Sequence, residues 1–93
     1  MDNKLDISVV VPLYNEAESL PELVEWIGRV ATANRLSYEI IFVDDGSTDE
    51  SWSVIERLKK SNPEIRAISF MRNYGKSAAL YCGFDMAEGE VVF

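Results

Sequence analysis

The sequence predicts an α/β fold in which helices flank an open, mainly parallel sheet. Short runs rich in β-branched residues alternate along the chain with longer segments whose apolar residues recur at helical spacing. The strand-like runs are almost continuously apolar, as expected for parallel strands that are covered on both faces. Alternation of this kind is typical of right-handed βαβ units, so the chain is expected to form one such sheet.

Four strands account for the apolar runs. The first three are predicted at Ile7–Leu13, Tyr38–Val43 and Ile65–Phe70, and the fourth begins at Val91 and reaches the last residue, Phe93. The third run is shorter than the first and closer to a strict apolar–polar alternation.

Two of the predicted helices begin at capping boxes. Ser19 stands three residues before Glu22, and Ser47 stands three residues before Glu50, so each serine is expected to be the N-cap of the helix that follows. The second helix is expected to end at Asn62, which precedes a proline.

A third helix is predicted from about Ser77 to Ala87, with Gly89 as its C-terminal stop. Four large aromatic residues lie on apolar stripes and are predicted to belong to the core. They are Trp26, Trp52, Phe70 and Phe84.

Composition excludes several classes of function. The 93 residues include 16 acidic and 9 basic ones, for a net charge of −7, which disfavours nucleic acid as a partner. A single cysteine, Cys82, allows neither an internal disulfide nor a cysteine-based zinc site, and the chain has no histidine to act as a general base. No apolar stretch approaches the roughly 20 residues of a membrane span. Since no secretory leader opens the sequence, a cytoplasmic location is expected.

Polar segments follow each of the first three strands. They span residues 12–16, 44–48 and 71–76. In open parallel sheets, ligands bind beyond the carboxyl ends of the strands. The three segments are therefore the places where a binding site is expected.

The first segment begins at Pro12, which has no N–H to donate to the sheet and marks the end of the ladder. Tyr14 could stack on a flat ring, while Asn15 and Glu16 offer an amide and a carboxylate for hydrogen bonds. The alternative is an ordinary turn, with a satisfied asparagine and a solvated glutamate.

The second segment contains two adjacent acids. Asp44, at the strand tip, could accept hydrogen bonds from a base edge or a ribose, and the pair Asp44 and Asp45 could bind Mg²⁺ or Mn²⁺. The alternative is structural: Gly46 turns the chain and Ser47 caps the next helix.

The third segment contains the cations Arg72 and Lys76. Together with backbone N–H groups around Gly75 and Ser77, at the start of a helix, they form a candidate phosphate clamp. The alternative is that both cations are merely solvated.

Together the three segments resemble the start of a family 2 inverting glycosyltransferase. The matching residues are Ile7–Glu16, Val43–Asp49 and Arg72–Ala79. The resemblance extends from about Asp6 to Phe93. The run from Arg72 to Gly83 is most similar to the subgroup that transfers a sugar to a polyprenyl phosphate, such as dolichyl or undecaprenyl phosphate.

The resemblance implies a GT-A nucleotide-sugar fold, of which this chain would be the N-terminal, Rossmann-like half with strand order 3-2-1-4. It also implies a UDP- or GDP-sugar as donor and Mg²⁺ or Mn²⁺ as cofactor of the intact enzyme. No catalytic residue is assigned. The residues implied to bind the nucleotide are Pro12, Tyr14, Asn15, Glu16, Asp44, Asp45, Gly46, Arg72, Gly75 and Lys76.

In one respect the sequence departs from the family. The Asp-X-Asp metal motif, the catalytic base and the acceptor half are expected beyond Phe93. Residues 1–93 are therefore expected to be the nucleotide-sugar-binding part, inactive alone, of an enzyme that acts in the cytoplasm or on the cytoplasmic face of a membrane. An exposed sheet edge or apolar face is also expected, covered by self-association.

Two alternatives to a transferase are considered. One is a non-catalytic nucleotide-binding or receiver-like regulatory module, although a receiver would place an isolated aspartate after the third strand, which this chain lacks. The other is a purely structural unit with no ligand.

Overall fold

A single four-stranded sheet forms the centre of the protein in the computed structural model, which describes residues 5–93. The strands are β1 (Leu5–Leu13), β2 (Tyr38–Asp44), β3 (Ile65–Ser69) and β4 (Gly89–Val92). The helices are α1 (Leu20–Ala33), α2 (Ser51–Ser61) and α3 (Lys76–Met86). All strand pairs are parallel and the order is β3-β2-β1-β4, which confirms both the α/β class and the expected order.

The register brings the carboxyl ends of three strands to one level. Leu13 at the end of β1 pairs with Asp44 at the end of β2, and Asp44 in turn pairs with Ser69 at the end of β3. The segments that leave these strands therefore start side by side at one edge of the sheet.

Each face of the sheet has its own core. On one face, α1 and α2 pack against side chains that include Ile40 and Phe42 of β2. On the other face, α3 packs against Val10, Ile41 and Val43. β1 and β2 are covered on both faces, which explains why their sequences are apolar with little alternation.

Neither predicted capping box forms, although Ser19 does occupy the N-cap position of α1 as expected. Ser19 precedes α1, but its hydroxyl donates to the carbonyl of Glu16 and makes no bond to the helix. α2 begins only at Ser51, and the Ser47 hydroxyl instead accepts the backbone N–H of Asn15. In both cases the serine hydroxyl stabilises the loop that leaves β1, because a side-chain hydroxyl can bond to any nearby backbone group.

The third helix ends within one residue of the predicted Ala87, but the role predicted for Gly89 as its C-terminal stop is wrong. α3 ends at Met86, and Gly89 is the first residue of β4. A Cβ at Gly89 would lie only 2.6 Å from the backbone of Ile7 and Ser8. Gly89 is thus required by the close approach of β4 to β1.

Two of the four aromatic core assignments fail. Trp26 is 58% exposed and Phe84 is 50% exposed. Trp52 and Phe70 are half-buried and pack against the two cores, as expected. Helical spacing alone placed Trp26 and Phe84 on apolar stripes, but neither packs against the two cores.

The outer edge of β4 is exposed, together with its apolar side chains Val91 and Val92 and the adjacent Phe93. This agrees with the expectation of an exposed sheet edge. Among residues 5–93, none of the helices combines the length and the apolar character needed to cross a bilayer.

A buried carboxylate links β1, β2 and the start of β4, and the sequence analysis did not anticipate it. Glu39 accepts hydrogen bonds from the Ser8 hydroxyl at 2.6 Å, the Glu88 amide at 2.7 Å and the Arg66 guanidinium at 3.0 Å. The Gly89 amide donates to the Ser8 hydroxyl. Burial disfavours the charged carboxylate, but these hydrogen bonds outweigh it, so the pKa of Glu39 lies below its ordinary value.

We expect Glu39→Gln to lower the free energy of unfolding by about 2 kcal/mol at neutral pH, because a charge-assisted network becomes a neutral one. The folded pKa of Glu39 is lowered, so its contribution is complete above the ordinary value of 4.5 and is lost as pH falls through the folded pKa. The gap between wild type and variant should therefore narrow below about pH 4.5 in urea titrations. Glu56→Gln, at an exposed position on α2, is the control; a gap that is constant with pH would contradict the assignment.

Candidate functional site

A cleft of about 260 Å³ opens at the carboxyl ends of β1 and β2, beside the first residue of α3. Its walls are Pro12, Leu13, Tyr14, Glu16, Asp45 and Lys76. Five of these six were predicted as site residues, and Leu13 was missed although it adjoins two of them. The cleft therefore combines an aromatic ring, two carboxylates and one ammonium group from three separate segments of the chain.

The other five predicted site residues lie outside the wall of this cleft. They are Asn15, Asp44, Gly46, Arg72 and Gly75. Four of them hold the three loops together, and Arg72 lies on the surface.

Asn15 fastens the loop after β1 to the loop after β2. Its Oδ1 accepts the amides of Thr48 at 2.8 Å and Asp49 at 3.2 Å, and its own amide donates to the Ser47 hydroxyl. The backbone of Asn15 has φ 53°, a left-handed conformation that asparagine tolerates better than most residues. The hydrogen-bonding groups of Asn15 are thus satisfied within the protein, as in the alternative of an ordinary turn.

Asp44 is 1% exposed at the tip of β2. Its Oδ1 accepts the amide of Ser47 at 2.8 Å, and no hydrogen bond from residues 5–93 reaches its Oδ2. One oxygen of Asp44 thus closes the turn, and the other accepts no hydrogen bond within residues 5–93.

Asp45 is 4% exposed, and both of its carboxylate oxygens are occupied by the loop that precedes α3. Oδ1 accepts the amide of Tyr74 at 2.7 Å and Oδ2 accepts the amide of Gly75 at 3.0 Å. The Gly75 amide thus bonds to a side chain of the protein, and its service to a phosphate stays a prediction.

Gly46 is needed because two backbones meet there. It has φ 76°, and a Cβ on it would collide with the backbone of Arg72 and Asn73. The loop after β2 and the loop after β3 are thus in direct contact.

Arg72 lies beside the cleft and not in its wall. Its guanidinium carbon stands 5.0 Å from the centre of the Tyr74 ring, a cation–π contact, and Tyr74 packs edge-on against Phe70. Of the two cations proposed for the phosphate clamp, only Lys76 lines the cleft.

No cluster of three or more histidine, cysteine, aspartate or glutamate side chains suited to a metal ion occurs among residues 5–93. Both oxygens of Asp45 accept amides, so the paired acids do not present two free carboxylates to a cation. Nearby, hydrogen bonds from the Ser51 side chain and backbone lower the pKa of Asp49.

Comparison with protein families gives one clear match. The model of glycosyl transferase family 2 matches residues 8–93, which is nearly the whole chain. Among curated relatives, a bactoprenol glucosyl transferase from Shigella phage SfV is 39% identical over 88 residues. An undecaprenyl-phosphate 4-deoxy-4-formamido-L-arabinose transferase from Proteus mirabilis is 41% identical over 87 residues.

The alignments cover 95% and 92% of this chain, but only 29% and 27% of those two proteins. The chain thus spans less than a third of the length of these relatives.

Solved structures agree on the fold. A mannosyltransferase from Pyrobaculum calidifontis, in complex with GDP-Man and Mn²⁺, superposes with a TM-score of 0.78 at 28% identity, over 96% of this chain and 26% of that one. TarS from S. aureus, in complex with UDP-GlcNAc, also gives a TM-score of 0.78, at 24% identity, over 96% of this chain and 25% of its own. The expected GT-A fold, in its N-terminal half, is confirmed by these neighbours.

We expect Gly46→Ala to lower the free energy of unfolding by more than about 2 kcal/mol, because the new methyl group meets backbone atoms that cannot move aside. Gly28→Ala on α1 is the matched control. Its Cβ would meet only the end of the Tyr38 side chain, at 3.0 Å, and the substitution favours helix, so a change within about 1 kcal/mol is expected. Equal effects of the two substitutions in urea titrations would contradict the close contact of the two loops.

Proposed function

The chain belongs to glycosyl transferase family 2, and from this premise we propose that it forms the nucleotide-binding part of an enzyme that transfers a sugar from a nucleoside-diphosphate sugar to an acceptor. The cleft at the carboxyl ends of β1 and β2 is the observation that supports this most strongly. It lies where open parallel sheets bind their ligands. Its volume is slightly below the roughly 300–1,000 Å³ of most small-molecule sites, which suits a nucleotide portion without its sugar.

The side chains around the cleft can divide the recognition of a nucleotide among them. In the proposal, the half-exposed ring of Tyr14 stacks on the base. The free oxygen of Asp44 and the carboxylate of Glu16 accept hydrogen bonds from the base edge or the ribose hydroxyls. Pro12 shapes the wall where β1 ends.

Lys76 has the largest part in holding the diphosphate. The chain has a net charge of −7, and Glu16 and Asp45 are both in the walls of the cleft, so an anion needs a local cation. Lys76 is the only basic residue among the residues that line it. It is also the first residue of α3, so the positive end of the helix dipole acts in the same direction.

For the whole protein we propose Mg²⁺ or Mn²⁺ as cofactor, supported by the Mn²⁺ that accompanies GDP-Man in the Pyrobaculum mannosyltransferase. Residues 5–93 do not fit a metal site, so the proposal assigns them no metal ligand and routes no step through the ion.

The acceptor that we propose is a polyprenyl phosphate. It is supported by the names of the bactoprenol and undecaprenyl-phosphate transferases that the chain resembles at about 40% identity. An enzyme of this kind would work at the cytoplasmic face of a membrane. The reaction would be a displacement with inversion, in which the acceptor oxygen bonds to the anomeric carbon while the bond to the nucleoside diphosphate breaks.

The receiver-like alternative is not supported by the geometry. A phosphate-accepting aspartate must present a free carboxylate oxygen to its phosphate donor. Asp45 has both oxygens on backbone amides. β3 is followed by Phe70, Met71 and Arg72, so the isolated aspartate that a receiver needs after its third strand is missing from this position.

The proposal is tested by calorimetric titration of this chain with uridine diphosphate and guanosine diphosphate, with and without Mn²⁺. We expect one of the two to bind, and we expect Lys76→Met to weaken that binding about tenfold through loss of a charge-assisted contact. Lys60→Met, at an exposed position on α2 away from the cleft, is the matched control and should leave the affinity unchanged. If neither nucleotide binds, or if Lys76→Met and Lys60→Met lose affinity equally, the nucleotide-binding role is refuted.

We also propose that the chain alone self-associates through the free edge of β4. The edge exposes unpaired backbone groups beside Val91, Val92 and Phe93, an arrangement that promotes strand pairing between molecules. Light scattering should give a mass above the 10.5 kDa of one chain, rising with concentration. Val91→Lys should restore the monomer mass, whereas Leu36→Lys, at another exposed apolar position, should not. A strict monomer at all concentrations would contradict the proposal.

A further inference from the structure

We propose that Ser51 is a positioning residue for the nucleotide: its buried hydroxyl holds the backbone of Glu16 and so fixes the loop that brings Tyr14 and Glu16 to the cleft. This inference rests on the proposed nucleotide-binding function, in which those two side chains act on the base and the ribose. Ser51 is 0% exposed, so it acts through the loop and not by touching a ligand. The sequence analysis did not single it out.

The loop between β1 and α1 depends on contacts with other parts of the chain. Residues 14–19 form no helix or strand, and Asn15 has the left-handed φ of 53°. A backbone of this kind persists only where the surrounding structure fixes it. Tyr14 and Glu16 both line the cleft from this loop, so the shape of the cleft depends on how the loop is held.

Two serine hydroxyls hold consecutive amides of this loop. The Asn15 amide donates to the Ser47 hydroxyl at 2.8 Å, and the Glu16 amide donates to the Ser51 hydroxyl at 2.9 Å. Ser47 is half-buried, whereas Ser51 is fully buried. The bond to Ser51 is therefore the one that solvent is less able to replace, and its loss leaves the Glu16 amide without a partner.

Ser51 is itself fixed by its place at the start of α2. It is the first residue of the helix, and its amide donates to the Asp49 carboxylate at 2.8 Å. A hydrogen bond from the Ser51 side chain to the same carboxylate is the main cause of the lowered pKa of Asp49. With its proton directed to Asp49, the hydroxyl oxygen accepts the Glu16 amide. The start of α2 is thus tied to the loop after β1.

The same arrangement of groups occurs at the other end of the sheet. The Ser8 hydroxyl, also 0% exposed, donates to the Glu39 carboxylate at 2.6 Å and accepts the Gly89 amide at 2.8 Å. Both serines join a carboxylate to a distant backbone amide, and they differ in the segment that they hold. Ser8→Ala is therefore the matched control for Ser51→Ala, because it removes an equivalent hydroxyl far from the cleft.

The chain and its variants are titrated by NMR with uridine and uridine diphosphate, or with guanosine and guanosine diphosphate if the chain binds that base. We expect Ser51→Ala to weaken nucleoside and diphosphate alike, by about fivefold, since Tyr14 and Glu16 lie on the loop that is released. Lys76→Met, on a different segment, should weaken the diphosphate alone. Ser8→Ala should leave both affinities within about twofold of wild type, although it too destabilises the fold. Equal losses in Ser51→Ala and Ser8→Ala would show that affinity follows stability and would overturn the proposal.

A double-mutant cycle shows whether Ser51 acts through Glu16. In the Glu16→Ala background, Ser51→Ala should cause a smaller loss of affinity than in wild type, because one of the two side chains that it positions is missing. Fully additive losses, or unchanged affinity in Ser51→Ala alone, would overturn the proposal. Should Ser51→Ala fail to fold, Ser51→Cys keeps a similar volume with a weakly accepting sulfur, and it should weaken both ligands equally but to a smaller extent.

Amide hydrogen exchange without ligand tests the loop independently. We expect the Glu16 amide to exchange at least about tenfold faster in Ser51→Ala with the Gly89 amide unchanged, and the reverse in Ser8→Ala. An unchanged rate for Glu16 in Ser51→Ala would refute the positioning role even if nucleotides bind. Faster exchange in a chain whose wild type binds neither nucleoside nor diphosphate would refute the proposed function, while the hold of Ser51 on the loop would be established.

Discussion

The cleft depends above all on the hydrogen bonds of one buried carboxylate, that of Asp45. It joins the end of β2 to the amides of Tyr74 and Gly75. Asn15 makes the corresponding connection between the loops after β1 and β2. Loops at the carboxyl ends of strands form few hydrogen bonds within themselves, and here they form hydrogen bonds with one another. The positions of Tyr14 and Lys76 around one cleft follow from these few bonds.

Much of the fold could be predicted from the residues alone. The apolar runs predicted the positions of all four strands. For β1 and β2 the signal is clear because both of their faces are covered, and such strands contain few polar residues. The strand order came from the resemblance to a known family and is confirmed. The start of α1 after Ser19 was predicted, but α2 begins at Ser51 and not after Ser47, because the Ser47 hydroxyl accepts the Asn15 amide instead. The choice between a cap and a loop contact depends on the three-dimensional position of Asn15, which no local pattern contains.

The site could be predicted only in part, for a similar reason. Strand ends indicated the right segments, and five of the ten predicted residues line the cleft. The sequence could not show which acids are already satisfied by the protein. Asp45 bonds to amides about thirty positions away along the chain, and Glu39 bonds to an amide 49 positions away. Because such contacts form only when the sheet is assembled, a structural carboxylate and a ligand-binding one look alike in the sequence.

Buried carboxylates lie at both ends of β2: Glu39 near its start, and Asp44 with the adjacent Asp45 at its tip. Glu39 is five residues from Asp44, so about 16 Å of strand separates its network from the tip that precedes Asp45. The Glu39 network that joins β1, β2 and the start of β4 is therefore remote from the cleft where we propose that the nucleotide binds. Because the two groups of residues are separate, side chains around the cleft can change during evolution to bind a different sugar donor without destabilising the sheet.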